Sequence, residues 1–160
     1  MEEIIVANFA EPAHAEAVVF LLSQYALDEM GGKTALSDFV KENLVAELQK
    51  RAGAFVILAL LDAAPIGLAI CFEGFSTFAC RPLLNIHDVV VLPGHRGRGL
   101  AKKLLHKAET IAVQKNCCKL TLEVLEGNVA AQAAYKACGY AGYELSPAAG
   151  KALFWQKKLD

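Results

Sequence analysis

The sequence carries almost no excess charge: 16 Lys and Arg stand against 17 Asp and Glu, a formal net charge of −1. A chain whose main partner is nucleic acid usually shows a basic excess on one face, so no such partner is expected. No apolar run is long enough to cross a bilayer; the longest, Ala54–Leu61, has the length of a buried strand. The start, Met1-Glu2-Glu3, lacks the basic opening and apolar core of a secretory signal. These absences set the expectation of a soluble cytoplasmic protein with no membrane partner. Cysteine is sparse too. Cys71, Cys80, Cys117, Cys118 and Cys138 are odd in number, and none sits in a Cys-x-x-Cys pair or a Cys/His cluster of zinc-site spacing. Neither a disulfide framework nor a metal site is expected, and most of these thiols read as buried small hydrophobes.

The 160 residues are 55% apolar, enough for one domain, 1–160, with a sizeable core. Ile4–Phe9 is β-rich. Pro12 suits the first turn of a helix, where its missing donor costs nothing, and apolar spacing predicts a helix over 12–30, stopped by Gly31-Gly32. Thr34 or Ser37 can cap a second helix reaching about Arg51, with Phe39, Val40, Leu44 and Leu48 on its buried side. Strands follow at 54–61, 66–75 and 83–92, the first two joined by the turn Asp62-Ala-Ala-Pro65. Leu100, Leu104, Leu105, Ala108 and Ile111 mark a helix over 99–114. A strand at 119–125, an Ala-rich helix at 128–138 stopped by Gly139, and strands near 141–145 and 152–158 complete the order β-α-α-β-β-β-α-β-α-β-β. This order fits an α/β fold, one mixed sheet with helices on both faces.

Val91-Leu-Pro-Gly-His-Arg-Gly-Arg-Gly-Leu-Ala101 is the most informative stretch. A strand ends, a loop carries Gly94, Gly97 and Gly99, and a helix begins at once. Free N–H groups and the positive end of the helix dipole then converge, and glycines let an anion approach the backbone. That pattern suits a pyrophosphate, with Arg96 and Arg98 adding charge at its rim. The P-loop pattern fails, since no Gly-Lys-Ser/Thr follows. The dinucleotide fingerprint fails as well, since Gly97-Arg-Gly99 leads into Leu-Ala-Lys without a third glycine.

Arg96-Gly-Arg-Gly-Leu-Ala101, preceded by Val91-x-Pro93, resembles the Gln/Arg-x-x-Gly-x-Gly/Ala signature of the GNAT (GCN5-related) N-acetyltransferases. Asn128-Val-Ala-Ala131-Gln-Ala-Ala-Tyr135 is similar to that family's Asn-x-x-Ala-x-x-x-Tyr helix, and Lys136-Ala-Cys-Gly139-Tyr140 to its ending. The first 50 residues match only as a helix pair. The resemblance implies the GNAT fold, with a mostly antiparallel sheet, and acetyl-CoA as cofactor. It implies that pantetheine pairs with the backbone of Val89, Val90 and Val91. A backbone N–H near Val89 would polarise the thioester. The amides from Arg96 through Gly97, Arg98, Gly99 and Leu100 to Ala101 would hold the pyrophosphate, with Arg96 and Lys102 reaching other phosphates. Asn128 would contact the cofactor arm, or serve as a helix N-cap. Tyr135, on the same helix face, would protonate the departing thiolate.

An attacking amine must lose a proton, and His87-Asp88 is the candidate base. Its position is similar to a Glu-Asp pair of the diamine and polyamine branch. Neighbours on a strand point to opposite faces, so His87 and Asp88 share a substrate only if a bulge intervenes. The role stays open between His87, Asp88 and neither. The resemblance puts the acceptor between the first two helices and the strand ends, where Tyr25, Asp28, Glu29, Glu73 and Phe75 are candidates. Ala26 departs from the polyamine branch, which has an acidic residue after the tyrosine. The expected function is transfer of an acetyl group to a primary amine of a small molecule, an amino acid or polyamine-like compound. The alternatives are a protein N-terminal or lysine acetyltransferase, or a non-catalytic CoA-binding sensor module. The resemblance further suggests a homodimer through edge strands.

Overall fold

Every residue of Ala54–Leu61 is apolar, which suits a strand covered on both faces. It forms β2 of a five-stranded sheet in the computed structural model, which describes residues 1–159. The other strands are β1 (Glu2–Val6), β3 (Ala64–Ser76), β4 (Arg81–Val91) and β5 (Leu120–Leu122), in the order β1-β2-β3-β4-β5. All neighbours are antiparallel except β4 and β5. The β2–β3 turn places Asp62 and Ala63 at φ +48 and +66. Two successive left-handed residues match the twist of a tight hairpin. These elements and three helices make one compact unit, Met1–Leu122; a second, smaller unit begins at Glu123.

The two faces of the sheet bury different helices. On one face α1 (Pro12–Leu27) and α2 (Asp38–Gln49) supply Ala17, Val18, Leu21 and Leu48 to a cluster with Val56, Leu58, Leu68, Ile70 and Val90. On the other lies α3 (Leu100–Gln114), whose Leu100, Leu104, Leu105, Ala108 and Ile111 are buried as their spacing predicts. Gly67 lets α3 come close: a Cβ there would meet the Val90 carbonyl oxygen at 2.8 Å and the Leu100 and Leu104 side chains at 3.4 and 3.5 Å. Each fully buried leucine contributes about 1.5–3 kcal/mol, so these layers set the stability of the unit.

Several boundaries differ from the sequence-based expectation. Helix α1 stops at Leu27, because Asp28 turns extended at ψ 157 and its side chain accepts from the Met30 N–H, starting a short 3-10 turn at Glu29–Gly31. Ser37, not Thr34, caps α2 by accepting from the Val40 N–H. Phe39 is exposed rather than buried, since it lies one residue out of phase with Val40, Leu44 and Leu48. Of the cysteines only Cys71 is buried; all five are free thiols.

In the second unit α4 (Val129–Ala137) is closed by Gly139 at φ +85, as expected. The terminal strands are shorter than expected. Strand β6 is Glu144–Ser146 and β7 only Gly150–Lys151, so the strand expected at 152–158 does not form. The ladder runs out at the Ala152 N–H to Tyr143 carbonyl bond, and a two-stranded ribbon is marginal by itself.

Gly67→Ala should destabilise the protein by on the order of 1–3 kcal/mol, the usual cost of overpacking, because backbone rather than a movable side chain opposes the added methyl. Urea denaturation of the two proteins checks this; equal midpoints would show that α3 stands farther off the sheet.

Candidate active site

The site is built on β4. Its ladder with β3 is regular from Ser76↔Arg81 to Cys71↔Ile86, then resumes at Ile70↔Asp88. His87 is the extra residue of a β-bulge. Paired residues share a face, so Ile86 stays with Cys71 while Asp88 joins Ile70 and Val90 joins Leu68 on the face covered by α1. The His87 ring packs edge-on against Phe72, 5.5 Å between centroids, and Phe72 belongs to the rim of that same cluster. The bulge that the sequence left open is present, and it brings His87 and Asp88 to one side.

Beyond the bulge β4 loses its other neighbour. The parallel ladder to β5 pairs Leu84, Asn85 and Ile86 and goes no farther. The Leu92 N–H still donates to the Ile66 carbonyl of β3 at 3.0 Å. Backbone groups alternate along a strand, so Val89 and Val91 turn theirs to the opposite edge. The Val91 carbonyl there accepts from Arg96 Nε at 3.0 Å. The Val89 N–H and C=O remain on an edge that β5 does not pair.

The loop after β4 makes one 3-10 turn, Pro93–His95, then passes Gly97 and Gly99, both at φ +77. A Cβ at either glycine would meet nothing within 4 Å, so the backbone conformation is what calls for glycine there. Gly99 is the N-cap of α3 and offers no capping side chain. The first-turn N–H groups, including those of Leu100, Ala101 and Lys102, therefore point outward with the dipole behind them, as an anion site requires. Arg98 and Lys102 are exposed beside them.

A family model described as "Acetyltransferase (GNAT) family" matches residues 21–140. The chain belongs to this family. Among curated relatives, a thialysine N-epsilon-acetyltransferase of Bos taurus is 34% identical over 74 residues, 46% of this chain and 43% of that protein. A streptothricin acetyltransferase of Streptomyces lavendulae is 37% identical over 70 residues, 44% of this chain and 37% of that protein. An aminoglycoside N(6')-acetyltransferase of Acinetobacter haemolyticus is 28% identical over 103 residues, 64% of this chain and 63% of that protein. The chain thus spans less than two thirds of these relatives. Solved structures share the fold: an aminoglycoside N-acetyltransferase in complex with CoA has a TM-score of 0.75 at 20% identity, covering 99% of this chain and 96% of that one. An aminoglycoside acetyltransferase from a soil metagenome reaches 0.80 at 14% identity, covering 99% and 97%.

The remaining residues expected at a GNAT site are distributed unevenly. Tyr25, Asp28 and Asp88 lie close enough that both carboxylates act on the Tyr25 phenol. Burial first, then the charges of Asp88 and Asp28, raise its pKa above the usual tyrosine value. The Asp28 carboxylate is not free for a cationic amine: one oxygen accepts from Arg96 Nη2 at 2.7 Å and the other from the Met30 N–H at 3.0 Å. Those bonds hold its pKa below the ordinary value. Arg96, expected at a phosphate, is thereby engaged with Asp28 and Val91. Glu29 is exposed and pairs with Lys33 at 3.3 Å. Glu73 pairs with Lys115 at 2.8 Å, and Lys115 also lies 5.0 Å over Phe55. Glu73 and Phe75 alternate with Ile70 and Phe72 and so face away from α1, apart from Tyr25 and Asp88. In the second unit Asn128 is the N-cap of α4, accepting from the Ala131 N–H at 3.2 Å, and the Tyr135 ring lies 6.1 Å from that of Tyr140. Among the described residues there is no group of His, Cys, Asp and Glu able to hold a metal, and no helix long and apolar enough to cross a membrane.

Asp88 has the perturbed chemistry of the site. Burial raises its pKa, and the neighbouring His87 charge offsets part of that. Cys71, beneath it, is pushed up to about 12 by burial and by Asp88. A carboxyl whose folded pKa is raised contributes stability below its unfolded pKa, and loses it as pH rises through the folded value. Asp88→Asn should therefore raise Tm at pH 7, where each kcal/mol is worth about 2–4 °C in a chain of this size. The gain should shrink towards pH 4. Melting curves across that range test the burial of Asp88, and a lower Tm at pH 7 would contradict it.

Proposed function

We propose that this protein transfers the acetyl group of acetyl-CoA to a primary amine of a small molecule. The observation that carries the reading is the open β4 edge at Val89 running into an uncapped helix N-terminus, beside the half-buried carboxyl of Asp88. Their fit to the cofactor rests on the chain's own atoms. The edge at Val89 offers a donor and an acceptor to an amide-bearing arm, and the turn at Gly97 and Gly99 leaves backbone N–H groups bare for a pyrophosphate. Bound there, acetyl-CoA supplies an activated acyl thioester. The Val89 N–H is aimed to stabilise negative charge growing on the acyl oxygen. Arg98 and Lys102 add favourable charge at the loop. Tyr135 is assigned the proton that the leaving thiolate takes up, a role suited to a phenol.

Asp88 is assigned the proton released by the attacking amine, with His87 in reach of the same face to relay it. A carboxyl raised by burial is a better base than an ordinary aspartate once ionised, because its proton affinity lies nearer the operating pH. The acceptor class is supported by the relatives, named for thialysine, streptothricin and aminoglycosides, all small amines. The half-buried wall of Tyr25 and Asp88 suits a slender amine better than a folded protein surface. The proposal includes a single acetyltransferase domain over 1–160, a cytoplasmic setting and a homodimer.

Three measurements bear on the reading. Calorimetry should show acetyl-CoA binding to the wild type and none to Gly99→Glu, because a side chain is strained at φ +77 and its carboxylate repels phosphate. Unchanged affinity would remove the loop from the site. Tyr135→Phe should lower turnover by about 10²–10⁴, the usual worth of a general acid, with little change in acetyl-CoA affinity. In a thiol-release assay with a panel of small amines, kcat/KM should rise with pH along a limb set by Asp88, above the ordinary carboxylate range. That limb should be absent in Asp88→Asn; an unaltered profile would assign the base elsewhere.

A further inference from the structure

Arg96 joins two parts of the fold that the sequence separates by 68 residues. Its Nε donates to the Val91 carbonyl at 3.0 Å, at the point where β4 becomes the glycine loop. Its Nη2 donates to Asp28 Oδ2 at 2.7 Å. Asp28 is in turn the hub of the segment that follows α1. Its other carboxylate oxygen accepts from the Met30 N–H at 3.0 Å, and its carbonyl accepts from the N–H groups of Gly31 and Lys33 at 3.0 and 3.2 Å. The Asp28 N–H donates to the Tyr25 carbonyl at 2.9 Å, and the Tyr25 hydroxyl reaches the Met30 carbonyl at 3.4 Å. Gly31 packs so closely on the Tyr25 carbonyl that no Cβ could stand there. The segment is therefore stiff, and one guanidinium fastens it to the loop.

We propose that Arg96 is a positioning residue that couples the two substrates: by holding Val91 and Asp28 together, it makes the cofactor loop and the acceptor wall of Tyr25 move as one body. The inference rests on the acetyl-CoA reading given above. A planar guanidinium with donors on separate nitrogens can span a backbone carbonyl and a carboxylate; a lysine ammonium is a point donor and cannot hold both in that geometry. Because Asp28 keeps the guanidinium, Arg98, Lys102 and the backbone N–H groups are left to meet the phosphates. By linkage, whatever stiffness acetyl-CoA imparts to the wall is returned as tighter acceptor binding.

The test is hydrogen–deuterium exchange with acetyl-CoA as the only probe, which does not require knowing the amine. In the wild type, saturating acetyl-CoA should slow exchange at the loop, 97–102, and also by about tenfold at 30–34, whose amides bond to Asp28 and Ala26. In Arg96→Lys and in Asp28→Asn the loop should remain protected while the effect at 30–34 falls below about twofold. The double variant should behave like either single one, since all three cut the same link. Acetyl-CoA affinity should stay within about threefold throughout. Protection confined to the loop in the wild type would overturn the coupling. So would weaker acetyl-CoA binding in Arg96→Lys paired with tighter binding in Asp28→Asn, the signature of a phosphate ligand restrained by its partner. Absence of any acetyl-CoA binding to the wild type would instead overturn the acetyltransferase reading, and the coupling with it.

Discussion

The structure turns on an unequal pairing of β4. Along one edge it is bonded to β3 from Arg81 to Leu92; along the other, β5 pairs only Leu84–Ile86. Backbone donors and acceptors have to be met by something, and an unpaired strand edge is ordinarily a liability. Here the fold meets one part of the demand itself, with Arg96 on the Val91 carbonyl. At Val89 the edge is open, and the proposed ligand, with amide groups in an extended arm, would meet it by the same logic by which a peptide adds to a sheet edge. The parallel β5 is too short to compete because its own chain leaves the sheet at Leu122.

The bulge at His87 follows from the same strand and serves a different end. Without it, Asp88 would point with Ile86 towards α3 and sit in a wholly apolar layer. With it, the alternation changes phase in the middle of β4, and a charge arrives under α1 among Ile70, Val90 and Tyr25. The cost is visible in the titrating groups around it: Asp88, Cys71 and Tyr25 are all shifted upward, with burial the leading cause in each. Asp88 and Tyr25, half-buried on the α1 side, and Cys71, buried on the opposite face, mark a place where charge is poorly solvated. Such a place is tolerable because Ile57, Leu58, Leu68, Leu84 and Ile86, fully or almost fully buried, hold the sheet regardless.

Much of this was legible in the residues. The glycine and arginine loop, the amphipathic pattern of α3, Pro12 at a helix start and Gly139 at a helix end each have a local cause, and local causes can be read locally. The bulge was not legible, because nothing about His87-Asp88 as a dipeptide says which ladder bond will be skipped; only the register against β3 decides it. The pairing of Asp28 with Arg96 was equally hidden, being set by tertiary approach across 68 positions. Asp28 and Arg96 were each read as ligands of something else, and each proves to be the other's partner. Glu73 is among the residues the resemblance puts near the acceptor, but strand parity carries it to the opposite face, where Lys115 meets it. The strand expected at 152–158 fails for the converse reason: an apolar run such as Leu153-Phe-Trp155 has the composition of a strand, but β6 offers it no edge beyond Tyr143.

The charge at the loop then has a consistent explanation. Of the cations near the helix N-terminus, Arg96 pairs with Asp28 and Lys103 with Glu2, while the exposed Arg98 and Lys102 stand beside the loop. An exposed cation in water contributes little until an anion arrives, and an uncapped helix N-terminus is likewise hydrated at small cost in the free protein. The proposed phosphate site would therefore carry its attraction without storing strain. Arg96, with its side chain about half exposed, ties Asp28 to the Val91 carbonyl. In the proposed reading, recognition falls to Arg98 and positioning to Arg96, whose guanidinium is engaged by Asp28 and Val91.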